Sequence, residues 1–423
     1  MKDQGADRRR SVCIVSPGHL ASNPRAIKEA DALHDAGYRV TVVAGDLSSS
    51  FRPFDEEVVA RAPWTAVRIG PSALSSRLAS RTALAIVQAC RLAPRRMPLW
   101  LAVAAHSPQT AALARAACAV SADLYIAHYV AAFPAAAAAA RRHGAALGYD
   151  AEDFHAGERI DRAGESCRTD LVRAIEAAFL PRCSHLTAAA PMIADAYAEL
   201  YGQKPLSVLN VFPLGEACNR HVPAKSGELS AYWFSQTIGP DRGLQSFIQA
   251  MACTQARVTL HIRGNDMWGH GKALLSLAQS LQIGDRVKLL PMASPFAMVE
   301  LAGEYDIGLS LETDVSENRR RCLTNKIFTY LLAGRPVLMS DTPAQQALAG
   351  ELGEAAALVS LADPATIAGQ LDRWALTPEG LQAAGRTACR LARGRFNWEI
   401  EKGAFLASVA QALNDHENQP CLP

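Results

Sequence analysis

The chain has 423 residues, of which 49% are apolar and 20% charged, with a formal net charge of +2. That length exceeds what one hydrophobic core serves, so two α/β domains of roughly 200 residues each are expected. Without a basic stripe interleaved with aromatics the charge excludes an obvious nucleic-acid surface, and ten cysteines with no CxxC pair exclude a zinc knuckle or disulfide framework.

The scattered thiols fit a reducing cytoplasm, and Cys13 reads as a small buried hydrophobe within a strand. The N-terminus, MKDQGADRRR, leads into a core strand and not into a signal peptide's apolar region. The longest apolar run, residues 129–140, is nearly all alanine and interrupted by Pro134; it is too short to span a bilayer and reads as a helix packed closely on a sheet. No short-period repeat is present, although both halves share a βα rhythm.

Residues 11–46 form a βαβ unit. A buried strand over 11–16 is followed by a small-residue loop, 17–23, a helix opened by Pro24 and ended by Gly37, and a second strand over 39–44. The loop lies where open α/β sheets bind ligands, but it is not GxGxxG, so the dinucleotide fingerprint is missing. Further strands are expected near 66–69, 124–127, 146–149, 185–188 and 207–209. Residues 211–228, with two prolines and few apolar runs, read as a linker.

Strands near 230–234, 258–263, 287–290, 307–311, 337–339 and 357–359 build a second domain. The most informative stretch is TNKIFTYLLAGRPVLMSD, residues 324–341. Thr324 or Asn325 caps a helix whose apolar face is Ile327, Phe328, Leu331 and Leu332. Gly334 sits at the left-handed C-terminal position, and Pro336 ends the helix before a strand. A helix N-terminus with Lys326 in its first turn suits a diphosphate, although alone it reads equally as a packing helix.

These segments together resemble glycosyltransferase family 4, the retaining enzymes of GT-B fold that take sugars from nucleotide diphosphates. The stretches 124–158, 185–214 and 233–251 match the family's pattern in the expected order, and the resemblance runs from about residue 11 to about residue 405. It implies an α/β chain of two Rossmann-like doubly wound domains facing across a cleft. They are an acceptor-side domain, 1–210, joined by linker 211–228 to a nucleotide-sugar domain, 229–397, with helix 398–413 crossing back to the first. The tail, 417–423, reads as disordered.

The resemblance also places residues. Arg242 in GPDRG matches a basic residue that contacts the diphosphate, and Gly243 lets the backbone approach; Gln236 and Thr237 stand where a second basic residue is usual, so Lys326 compensates. Gly18, Gly264, Asn325 and Thr329 complete the donor-binding set. The family's two glutamates, eight positions apart, are here Arg321 and Thr329. Glu312 and Glu317 either substitute for them at the ribose or form a polar loop. His128 ends a strand at the lip of the expected cleft, where it either touches the transferred sugar or is satisfied by backbone groups. With Arg242 and Lys326 it forms the catalytic set, and His19, Asn23, Arg25, Asp150 and Asp153 are the acceptor-binding set.

No DxD arrangement is present, so no metal site and no cofactor are expected; the nucleotide-diphosphate sugar is a co-substrate, and the partner is a hydroxyl acceptor. The implied reaction is front-face transfer with retention, in which a donor phosphate takes the acceptor proton. A nucleotide-sugar epimerase and a non-catalytic GT-B partner protein are the alternatives, the second because the glutamate pair is missing. A peripheral membrane contact at the inner face is also expected. Arg77 and Arg81 are four apart, and Arg95 and Arg96 adjoin Met97, Leu99 and Trp100; the other reading puts Leu99, Trp100 and Leu101 in the core.

Overall fold

Short, fully buried apolar runs alternate with helices along the chain, and such runs build parallel strands covered on both faces. The computed structural model describes residues 9–90, 96–158, 166–217 and 226–418. The chain divides into two units: residues 1–208 with 402–423, and residues 209–401.

In the first unit come β1 (Ser11–Val15), α1 (Pro24–Asp35), β2 (Arg39–Gly45), α2 (Arg52–Arg61), β3 (Thr65–Ile69), α3 (Leu74–Cys90), α4 (Leu99–His106) and α5 (Thr110–Ala119). They are followed by β4 (Leu124–His128), α6 (Phe133–His143), β5 (Ala146–Ala151), α7 (Ser166–Phe179), β6 (His185–Ala188), α8 (Pro191–Tyr201) and β7 (Leu206–Ser207). All strands run parallel in the order β3-β2-β1-β4-β5-β6-β7. The order reverses beside β1 and β4, so the loops after these two strands meet at a topological switch point. Helix α6 is the alanine-rich element: Ala135, Ala136, Ala139 and Ala140 are buried, and small side chains let it lie close on β4 and β5.

The second unit carries β8 (Glu228–Thr237), α9 (Leu244–Met251), β9 (Arg257–Asn265), α10 (His270–Ser280), β10 (Val287–Leu290), α11 (Met298–Ala302) and β11 (Ile307–Ser310). Then come α12 (Glu317–Arg321), α13 (Asn325–Leu332), β12 (Val337–Ser340), α14 (Pro343–Leu352), β13 (Ala356–Val359), α15 (Pro364–Leu376) and α16 (Pro378–Gly394), while α17 (Trp398–Asn418) starts in this unit and belongs to the first from residue 402 onward. Its six strands are parallel in the order β10-β9-β8-β11-β12-β13. Leu229, Ala231 and Trp233 of β8, Val258, Leu260 and Ile262 of β9, and Phe247 and Ile248 of α9 lie within its core.

Most helix boundaries follow the expected chemistry. Asn23 caps α1 by accepting from the Ala26 amide at 3.0 Å, and Gly334 ends the α13 segment at φ 67°. Three expectations need correction. Helix α17 runs to Asn418, beyond residue 413, and Glu417, expected in a disordered tail, pairs with Arg10 at 2.7 Å. Strand β8 is ten residues long, not five, because its outer turns still pair with β9. Residues 218–225 of the expected linker, Arg95, and the tail from 419 lie outside the described residues.

Candidate functional site

In the second unit, three cations converge on one carboxylate. Glu312, just beyond β11, is 1% exposed, and its main-chain oxygen accepts from Ser340 Oγ at 2.6 Å, which fixes its place. Its Oε2 lies 3.4 Å from Arg242 and also pairs with Arg319, and its Oε1 lies 3.5 Å from Lys326 Nζ.

Each cation arrives from a different element. Arg242 comes from the loop after β8, where Asp241 and Gly243 both have positive φ. A Cβ on Gly243 would sit 2.7 Å from Leu311 Cβ and 2.9 Å from Leu311 O, so only glycine lets this loop rest on the end of β11. Arg319 comes from α12, whose N-cap Ser316 accepts from the Arg319 amide at 3.3 Å. Lys326 comes from the first turn of α13 and lies 5.9 Å from the Trp233 ring centroid. The N-cap residue of α13 is Thr324, whose hydroxyl meets Ser310 Oγ at 3.2 Å and makes no capping bond to the helix.

Arg242, Arg319 and Lys326 bring three positive charges to one point, and concentrated positive charge favours an anion. Two unit charges 4 Å apart attract by about 4 kcal/mol at an effective dielectric of 20. Arg242 and Arg319 keep side-chain exposures of 24% and 20%, so both guanidinium groups reach solvent, whereas Lys326 is 7% exposed. The neighbouring acids do not add to this centre: Glu317 is exposed and pairs with Arg321, and Asp314 pairs with Arg320 at 2.7 Å.

The sequence expectations for this unit are only partly met. Arg242, Gly243, Asn325 and Lys326 fall together near the end of β11. The Glu312 carboxylate is 1% exposed and faces Arg242, Arg319 and Lys326. Glu317 belongs to the polar-loop reading. Thr329 is fully buried and donates back to Asn325 O at 3.1 Å, the usual i−4 bond of a helical threonine. Gly264 has a packing reason, because a Cβ there would stand 2.6 Å from Ser235 O of the adjacent strand. Arg319 was missed. Within ENRRR it reads as one of a run of solvated charges, and only the orientation of α12 separates it from Arg320 and Arg321.

The first unit holds a cluster of a different kind. Arg25 on α1 pairs with both oxygens of Asp150 at the end of β5, donates to Val208 O at 2.6 Å, and lies 3.4 Å from Glu29. Thr187 donates to Asp150 Oδ1 at 2.7 Å. His128 at the end of β4 sits between Glu152, 2.8 Å from Nδ1, and Glu29, 3.1 Å from Nε2. Asn23 Nδ2 donates to the same Glu152 oxygen at 2.6 Å, and Tyr129 donates its hydroxyl to the other at 3.2 Å.

Burial opposes charge on His128, but the Glu29 charge and the hydrogen bonds that both glutamates accept from the ring outweigh it and push its pKa up to about 10. The ring is therefore an imidazolium that donates from both nitrogens. Burial likewise opposes the Arg25 cation, and Asp150 and Glu29 reverse that balance. Asp150 is held below the usual carboxylate range, since Arg25 and His128 overcome its desolvation. Glu29 is shifted upward, first by burial and then by the Asp150 charge.

The expectation that His128 stands at a lip is corrected: its side chain is 0% exposed and both nitrogens face carboxylates. Arg25 and Asp150 are also fully buried, and Asn23 is 2% exposed. The Asp153 carbonyl accepts from the His155 amide. Glu152, with 11% side-chain exposure, and Tyr129 are the members that are only partly buried.

His19 is buried too. Its Nδ1 lies 2.6 Å from Asp55, and its Nε2 accepts from the amides of Leu47 and Ser48, so it fastens the loop after β1 to the loop after β2. Gly18 accepts from the Gly45 amide in the same join. Two groups among the described residues have the spacing of metal ligands, His19 with Asp46 and Asp55, and Glu29 with His128 and Asp150. In both, the histidine nitrogens already have hydrogen-bonding partners.

No family model and no curated protein matches the chain. Solved structures do. HepE from Anabaena, crystallised with UDP and glucose, is 15% identical with a TM-score of 0.71, covering 95% of this chain and 100% of its own. Sucrose-phosphate synthase from Thermosynechococcus elongatus is 14% identical with a TM-score of 0.70, covering 96% and 100%. WaaG, a glycosyltransferase involved in lipopolysaccharide biosynthesis, is 12% identical with a TM-score of 0.58, covering 93% and 98%. The two parallel α/β sheets of this chain are those of the GT-B fold, the architecture shared by these structures.

Proposed function

We propose that the chain is a glycosyltransferase that moves a sugar from a nucleotide diphosphate to a hydroxyl acceptor. The observation that carries this reading is the group of Arg242, Arg319 and Lys326 around Glu312, at the carboxyl ends of β8 and β11 and the first turn of α13. A departing diphosphate develops negative charge, and cations held in place before reaction stabilise that charge without reorganising. HepE, of similar fold, binds UDP-glucose, which supports a nucleotide sugar as the donor.

In this mechanism Arg242 and Arg319 contact the phosphate oxygens, Lys326 supports them from the helix N-terminus, and Asn325 adds polar contacts in the same turn. Glu312 is a positioning residue that keeps the three cations from separating. Three positive charges beside the leaving group make a divalent ion there unfavourable, which supports metal-independent transfer. A donor phosphate that accepts the acceptor's proton gives retention and requires no protein base. Glu152, held by Asn23, His128 and Tyr129, is the acceptor-side carboxylate of the first unit, and Gly18, His19, Arg25, Asp150 and Asp153 shape the loops around it. The acceptor is a hydroxyl of a glycan, a lipid-linked sugar or a small molecule.

Calorimetry of the full chain with UDP, GDP, ADP and dTDP tests the reading. One of them should bind and raise the thermal midpoint, since a ligand specific to the native state stabilises it. Binding by none, or binding that survives Arg242→Ala and Arg319→Ala together, overturns it in favour of a non-catalytic role. Product analysis with donor alone separates transfer from epimerisation.

A further inference from the structure

Residues 58–122 contain eight arginines and no aspartate, glutamate or lysine. Helix α3 within this stretch is inverted relative to an ordinary surface helix. Its buried positions are Ala83 and Val87, with Ser76, Ser80 and Leu84 partly buried. Its outward side carries large apolar residues: Leu74 is 72% exposed, Leu78 52% and Ile86 43%. These three recur at spacings of four and eight, one stripe along the helix. Arg77 and Arg81 are exposed beside the stripe. Helix α4 packs against α3 and opens with Trp100, which is 71% exposed, while Leu101 next to it is buried.

The geometry points to this surface as a docking face for an anionic lipid bilayer. A water-facing helix gains nothing from three large apolar side chains flanked by arginines, with no acid in the same stretch of sequence, whereas a headgroup layer accepts both. Leucine and isoleucine enter the acyl boundary, the arginines meet lipid phosphates, and tryptophan suits the interface. Among the described residues no helix is long and apolar enough to cross a membrane, so the contact is peripheral. Of the two readings of residues 96–101, each holds in part: Met97 and Leu101 are core, and Trp100 is not. The proposal stands apart from the transferase reading, since it involves none of the residues around Glu312.

Cosedimentation of the full chain with vesicles tests it, comparing phosphatidylglycerol–phosphatidylcholine mixtures with phosphatidylcholine alone. Binding is expected only with phosphatidylglycerol and should be released by salt. Arg77→Ser with Arg81→Ser should weaken it about 30-fold. Leu78→Ser with Ile86→Ser should abolish the blue shift of Trp100 emission on vesicles, a shift assigned by its absence in Trp100→Phe. Nucleotide binding and the thermal midpoint should stay unchanged in all of these exposed-site variants. Failure to bind phosphatidylglycerol at low ionic strength, or equal binding by the double arginine variant, overturns the proposal. So does a dimer in sedimentation that Leu78→Ser dissolves, which assigns the face to a second copy of the chain.

Discussion

The two units handle charge in opposite ways. In the first, Arg25, Glu29, His128 and Asp150 are all fully buried and neutralise one another through short contacts. In the second, Arg242, Arg319 and Lys326 share one carboxylate, and two of the three remain partly open to solvent. A closed set of ions has no reason to bind a ligand, and losing one member leaves its partners unpaired in a low-dielectric interior. A set whose cations stay partly open to solvent meets an anion that arrives from outside. The first cluster should therefore respond to mutation through stability, the second through binding.

The largest effect is expected at Asp150. Asp150→Ala leaves the Arg25 guanidinium buried without its bidentate partner, and breaking such a pair costs about 3–5 kcal/mol. Urea unfolding of the first unit's transition reads it. A loss under about 1 kcal/mol would mean that Arg25 finds water or another acceptor, and the closed-cluster view would fail.

Titration gives a second handle on the same cluster. The His128 pKa is pushed up from the ordinary 6.5 to about 10 on folding, so its stabilising charge is complete below pH 6.5 and is lost as pH rises toward 10. Over that window the native state holds up to one extra proton, and stability should fall by up to about 1.4 kcal/mol per pH unit. His128→Gln should be less stable near neutrality and flatter across the window. A wild-type curve that is level from neutrality to pH 10 would show the ring to be neutral, and hence not an imidazolium between two glutamates.

On the open side, Arg319 and Arg320 form a matched pair for comparison. They are adjacent on α12, yet Arg319 reaches Glu312 and Arg320 pairs with Asp314 in solvent. Loss of a charge-assisted contact to a diphosphate costs about 1.5–3 kcal/mol, or roughly 10- to 150-fold in affinity. Arg319→Ala should lose that much nucleotide binding while retaining its thermal midpoint. Arg320→Ala should change neither, as exposed pairs contribute little. Equal losses for the two would reduce the effect to general charge.

What could be read from the sequence follows the range of the interactions involved. The strand runs, Pro24 at a helix start and Gly334 at a helix end are local signals, and they gave the βα rhythm and hence the fold. Gly243 and Lys326 were also legible, since a glycine beside a cation and a cation in a first helical turn are short-range patterns. The burial of His128 was not. It depends on Asn23 and Glu152, which meet across 129 positions, and no local pattern records that meeting. Arg319 was hidden for a related reason: three consecutive arginines are indistinguishable until α12 is oriented on the end of β11.

The smallest expected effect concerns Thr329, where the resemblance to family 4 and the geometry disagree. By position it replaces a glutamate that would hold a ribose, but its hydroxyl is buried and donates to Asn325 O within α13. Thr329→Val keeps the shape and removes one donor whose acceptor is also a helix carbonyl, so stability should fall by about 1 kcal/mol or less, with nucleotide affinity unchanged. A tenfold loss of affinity at constant stability would instead place the hydroxyl on the ligand, and would require α13 to shift when nucleotide binds. Thr329→Glu sharpens the contrast. A carboxylate at this fully buried position is costly unless it reaches Lys326 one turn away. Destabilisation without tighter binding is the outcome that assigns Thr329 to the packing of α13 and leaves recognition of the anion to the three cations alone.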